Sequence, residues 1–169
     1  MSTFQRILVP VDGSEPSDEA IALAIRLAGE WSSELTFCFV VDSDRIIAEC
    51  ASTAMGDPGP ILSGLEADAE SILAAAAAKA AQADLKARTN LLDGVRAVEG
   101  INRLAETEKA DLIIMGSHGR RGLSRVFMGS TTEGVLRQSS VPVLVVRATV
   151  ARTGNSAVRR AMEAPAVTS

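Results

Sequence analysis

Residues 111–134 read DLIIMGSHGRRGLSRVFMGSTTEG, and the fold turns on how that stretch is read. The run at 111–115 is short, aliphatic and bounded by Gly116, which is the pattern of a buried strand. A helical pattern, GVLRQ, takes over at residues 134–138. The connection between them carries five glycines and three arginines over residues 116–134. Glycine loses more conformational freedom on ordering than any other residue. The segment is therefore either a mobile connection or a place where backbone must lie close against something.

Working outward, the same alternation recurs. RILVPV (residues 6–11) reads as a buried strand ending at Asp12-Gly13-Ser14, a tight turn. Ser14 is a plausible N-cap, followed by Pro16 and the acidic Glu15, Asp18 and Glu19 in a first helical turn. Ala20, Leu23, Ala24, Leu27 and Ala28 then fall at helical spacing, with Gly29 as the expected stop. LTFCFVV (35–41) is a second strand. Residues 43–63 hold Gly, Pro and Ser without a sustained period and read as a long variable loop. A helix is expected from Leu65, with the alanine run 74–78 at its centre. LKARTNLL (85–92) reads as a strand near a sheet edge, and residues 94–110 as the next helix. After the opening stretch comes VPVLVV, which Val141 opens and Val146 closes, a fifth strand. The order β-α-β-α-β-α-β-α-β predicts an α/β fold, a single doubly wound parallel sheet with helices on both faces. Residues 1–148 form that domain, and residues 149–169, small and polar, are expected to be a disordered tail.

Composition agrees. With 47% hydrophobic residues but only four Phe, one Trp and no Tyr, the core must be aliphatic and alanine-rich. A net charge of −4 argues against a nucleic-acid partner. Two cysteines and one histidine make neither a disulfide framework nor a transition-metal site. No apolar stretch approaches the roughly 20 residues of a membrane span, so a cytoplasmic location is expected.

In open parallel sheets ligands bind beyond the carboxyl ends of the strands, where strand order reverses. If the first and fourth strands are neighbours, Asp12 and Gly116 face one crevice. Glycines there let a phosphate reach backbone N–H groups, and the helix starting near Gly129 adds unpaired donors and its dipole. Ser130, Thr131 and Thr132 can add hydroxyls. There is no GxxxxGK[ST] and no GxGxxG after the first strand. Each residue also has a plainer reading. Asp12 can be a turn former, His118 a structural or phosphate-edge residue, and Arg120, Arg121 and Arg125 a solvated loop. Gly134 fits close packing of its helix on the sheet. No partner for a catalytic base or nucleophile is identified, so no catalytic residue is assigned.

The spacing G-x2-G-x9-G-[S/T], running from Gly116 through Gly119 to Gly129 and Ser130, resembles that of the universal stress protein family. So do ILVPVDGSEPS (7–17) and SVPVLVVR (140–147). The resemblance implies sheet order 3-2-1-4-5 and a bound adenine nucleotide: ATP, or ADP or AMP. It implies that Asp12 contacts the nucleoside, that the Val40 backbone reads the adenine edge, and that Met115 and Gly116 lie beneath. Gly119, Gly129, Ser130 and Thr131 would cradle the phosphates, which would themselves hold any Mg2+; no protein metal ligand is assigned. It also implies a homodimer through the strand between Val141 and Val146. The function so implied is a nucleotide-dependent dimeric switch in stress response, acting on an unidentified regulatory partner. A slow ATP hydrolase or autophosphorylating enzyme is one alternative, and a nucleotide-independent interaction module is another.

Overall fold

Short aliphatic runs form five strands: β1 (Arg6–Pro10), β2 (Glu34–Val41), β3 (Ala87–Asp93), β4 (Leu112–Gly116) and β5 (Val143–Val146). Between them lie α1 (Glu15–Trp31), α2 (Ser43–Thr53), α3 (Gly59–Gln82), α4 (Ala97–Thr107) and α5 (Ser130–Gln138). The computed structural model describes residues 4–53, 56–119 and 128–148. The tail 149–169 and the arginines Arg120, Arg121 and Arg125 lie outside the described residues.

All strand pairs are parallel and the order is β3-β2-β1-β4-β5, as the resemblance implied. Alternation along each strand divides the core. Ile7, Val9, Val11, Phe37 and Ile114 pack on one face with the alanines of α1 and α3. Leu8, Cys38, Ile113 and Met115 pack on the other with Ile101, Leu104 and Ala105 of α4 and Val135 of α5. Side chains as deeply buried as Phe37 and Ile113, both 0% exposed, each contribute roughly 1.5–3 kcal/mol. In α3 the buried residues are Ala69, Leu73, Ala76 and Ala80, a small-residue stripe that brings the helix close to the sheet. The Asp111 carboxylate accepts the Gln5 and Arg6 amides at 2.8 and 3.1 Å, fixing the start of β1 against β4.

Three expectations need correction. Residues 43–63 are not one long loop: α2 occupies Ser43–Thr53, and α3 begins at Gly59 rather than Leu65. Asp42 starts α2, its carboxylate accepting the Arg45 amide at 3.2 Å. Only Ser43 and Cys50 of α2 are buried, so no apolar period marks the helix in sequence. In α3 the Asp57 carboxylate accepts the Gly59 amide at 2.9 Å, and Pro60 sits in the first turn, where its missing N–H costs nothing. Gly29 does not stop α1, which continues to Trp31 and ends at Ser32 in the left-handed conformation, φ 58°. Gly134 packs against a helix and not the sheet, for a Cβ there would lie 2.6 Å from Val98 Cγ2 of α4.

Candidate functional site

β1 pairs with β2 over five residues but with β4 only at Ile7–Leu112 and Leu8–Ile113. Proline chemistry explains the early parting. Successive N–H groups of a parallel strand point to opposite neighbours. Val11 N–H reaches Cys38 O on β2 at 2.8 Å, so the donor that Pro10 lacks is the one facing β4. Beyond Leu8 the two strands separate, and a cavity of about 750 Å³ opens at their carboxyl ends. All eight residues singled out from sequence line it: Asp12, Val40, Met115, Gly116, Gly119, Gly129, Ser130 and Thr131.

The two loops that wall the cavity are built differently. In the β1–α1 turn, Gly13 at φ 77° takes a conformation that costs glycine little, and Asp12 Oδ1 accepts both the Ser14 amide (3.0 Å) and the Ser14 hydroxyl (2.6 Å). Ser14 in turn accepts from the Ser17 amide and caps α1. Asp12 is thus a turn former and a cavity-wall carboxylate at once. Across the crevice, α5 starts at Gly129 with no side-chain cap. Its first intrahelical bond runs from Glu133 N to Gly129 O at 2.9 Å, which leaves the Ser130, Thr131 and Thr132 amides without helical acceptors. All three residues line the cavity. One of the expected hydroxyl donors is already used: the buried Thr132 Oγ1 donates to Gly116 O at 2.9 Å, which removes it from the set of anion donors.

The motif glycines answer to protein atoms. A Cβ on Gly116 would stand 2.9 Å from the backbone of Pro16 and Ser17; one on Gly119 would strike the Asp12 carboxylate; one on Gly129 would lie 3.1 Å from His118 Cα. Gly116 and Gly119 let the end of β4 and its loop close on the β1–α1 turn and the start of α1, and Gly129 lets the β4–α5 loop close on itself, so the expectation that they chiefly admit phosphate is incomplete. The β4–α5 loop is further tied by Gly129 N to Ser117 O at 2.8 Å, and to the sheet edge by Ser117 N to Val146 O at 2.7 Å.

Residues that sequence reasoning missed complete the wall: Ser17 from α1, Arg45 and Ile46 from α2, Leu65 from α3, and Arg96, Ala97, Val98 and Ile101 around α4. A signal for Arg96 existed, since it follows β3 by three residues and every βα connection of a parallel sheet emerges at the same end. Arg96 is the N-cap of α4 and supplies no side-chain cap, so a second open helix start meets the cavity. The floor is apolar and includes Cys38, whose thiol burial pushes up to about 12. It stays protonated, and inert as a nucleophile, at neutral pH. Past Cys38, β2 has no β1 residue beside it, so the Val40 backbone edge faces the opening. Among the described residues no helix is long and apolar enough to cross a membrane.

Residues 3–147 match the model of the universal stress protein family. A universal stress protein of Methanocaldococcus jannaschii is 36% identical over 144 residues, covering 85% of this chain and 82% of the relative. The solved structure of a universal stress protein from Lactobacillus plantarum superposes with TM-score 0.69 at 27% identity, covering 85% of this chain and 97% of that one. A universal stress protein crystallised with cAMP has the same fold, with TM-score 0.63 at 24% identity over 86% of this chain and 98% of its own.

Proposed function

The chain belongs to the universal stress protein family, and from that membership we propose that it is an adenine-nucleotide-binding regulatory protein acting as a dimeric switch. The observation that carries this reading is the uncapped start of α5, facing a cavity that opens where β1 and β4 part. Unpaired N–H groups at the positive end of a helix dipole bind phosphate. In a bound ATP, the base lies along the Val40 backbone and the ribose at Asp12. Met115 and Gly116 lie beneath the nucleoside, and the phosphates meet Gly119, Gly129, Ser130 and Thr131. A divalent ion would be carried by the phosphates. Arg45 and Arg96 add positive charge to a wall that also holds Asp12 and Asp42.

Two measurements test the ligand. Mass spectrometry of the small molecule released on denaturing the purified protein is expected to find an adenine nucleotide. Calorimetry on stripped protein is expected to give micromolar ATP affinity. No released nucleotide together with no heat at millimolar ATP would overturn the reading.

The dimer is proposed to form through β5, a sheet edge whose Leu144 is 39% exposed. Leu136 of α5 is 40% exposed. An apolar edge left open invites strand pairing. The bond from Ser117 N to Val146 O joins this edge to the first residue of the cavity loop, a direct route from occupancy to subunit packing. Light scattering at micromolar protein is expected to give twice the chain mass, and Leu144→Glu to halve it. A wild-type monomer would refute the dimer.

A further inference from the structure

The side of the cavity beyond β2 is walled by two helical segments that the core barely holds. α2 buries only Ser43 and Cys50, and Ile47, on the same helical face, is still 45% exposed. α3 runs for 24 residues, about 36 Å, beside strands of eight and seven residues, at most about 26 Å long. Its buried residues begin only at Ala69, and none of residues 59–68 is buried. The apolar stripe nevertheless continues outward at the same spacing, with Leu62 and Leu65 preceding Ala69, Leu73 and Ala76. Both leucines are only half-buried. The first ten residues of α3 therefore form, with α2, an arm that has little core of its own.

What the arm does border is the cavity. Arg45 and Ile46 of α2 and Leu65 of α3 line it. Arg45 is engaged with Asp42, its Nε 3.7 Å from Oδ2, so the surface that the arm adds is chiefly aliphatic. Strand order fixes which end of the cavity this is. The Ile46 amide bonds to Asp42 O just past β2, whereas the Gly129 amide at the start of α5 bonds to Ser117 O just past β4. β1 lies between those strands, which sets the two ends about 10 Å apart. Free amides at one end and aliphatic side chains at the other suit a ligand with an anionic chain and a flat, weakly polar ring. Leu65 comes from the helix on one face of the sheet, and Val98 and Ile101 from α4 on the other. A planar ring over the end of β2 would have aliphatic walls on both sides.

We propose that this arm is a cap on the nucleobase, that Ile46 and Leu65 are its base contacts, and that it firms when nucleotide binds. This rests on the nucleotide-binding reading above and deepens it by assigning the base end of the ligand to side chains outside the glycine motif. Segments with few buried apolar contacts open locally at low cost, and a ligand packed under them supplies the missing burial.

Hydrogen exchange read by mass spectrometry, with and without saturating ATP, tests the cap. Amides of α2 and of residues 61–66 are expected to exchange about tenfold more slowly with ATP bound. In calorimetry, Ile46→Ala combined with Leu65→Ala is expected to weaken ATP and ADP by the same factor, about tenfold, the scale of two methylene groups' burial. Both side chains are only half-buried, so the melt should move little. Ile47→Ala, on the same helix but away from the cavity wall, should bind within about twofold of wild type. If the double variant does not fold, wild-type exchange decides alone. Unchanged arm exchange at saturating ATP, wild-type affinity in the double variant, or a loss greater for ATP than for ADP would overturn the cap while leaving nucleotide binding standing. An equal loss in Ile47→Ala would overturn it as well. If the wild type binds neither nucleotide, the underlying reading fails and the cap with it.

Discussion

Gly129→Asp is expected to reduce ATP affinity by roughly a thousandfold or more and to leave the fold at wild-type stability. Gly129 has φ −65° and ψ 146°, an extended conformation open to any residue. Aspartate is among the preferred N-cap residues, so its carboxylate would accept from the free amides of the first turn of α5. Those are the donors a phosphate would use. The substitution thus satisfies the helix while occupying the site and setting like charge against the ligand. One pair of unit charges about 4 Å apart costs about 4 kcal/mol at an effective dielectric near 20, which is the thousandfold. Gly129→Ala is the steric control. It makes the same 3.1 Å approach to His118 Cα without charge, and should retain binding within about tenfold. Calorimetry on both variants beside their thermal melts makes the comparison. Normal ATP binding by Gly129→Asp would remove α5 from the site.

The sheet was legible because aliphatic strands, each followed by a polar or glycine-bearing turn, leave few topologies open. Ile7, Val9 and Val11 alternate with Leu8, and the same alternation sorts the two cores. What stayed hidden was α2, whose helix rests on the local Asp42 cap and buries only two of its residues. Periodicity reports burial, so a helix lying on the surface leaves little trace of it. The DPGP at residues 57–60 misled for a related reason, since Pro and Gly mark helix starts as well as loops. The eight residues that the family resemblance singles out all line one cavity, yet what each glycine touches was not legible. Contacts such as Gly134 to Val98 join residues 36 apart, and no local pattern encodes them. Ser117, whose buried hydroxyl lies 2.9 Å from His118 Nδ1, reads in sequence as one more small loop residue.

Gly116→Ala should be the most damaging single-methyl change in the site, because its neighbours are backbone. The added carbon would stand 2.9 Å from Pro16 C and Ser17 N and 3.0 Å from Pro16 Cβ. None of these is the free end of a side chain that could swing aside. Gly116 cannot retreat either, since it ends β4 and pairs with Val146 of β5. The strain falls on the first turn of α1, which the Ser14 cap and the Asp12–Ser17 bond hold in place. Overpacking of this kind costs about 3 kcal/mol, at the upper end of its usual range. For a chain of this size that is a fall in melting temperature of roughly 6–12 °C. Gly119→Ala supplies the contrast. Its carbon meets the end of the Asp12 side chain, which can shift only by loosening its bonds to Ser14, so it should disturb nucleoside affinity and lower the melt less than Gly116→Ala does. Melting Gly116→Ala and Gly119→Ala side by side separates the two kinds of close approach. If Gly116→Ala unfolds within about 2 °C of wild type, α1 yields more readily than its caps imply. Gly116 would then have to be explained by the ligand instead of by the helix behind it.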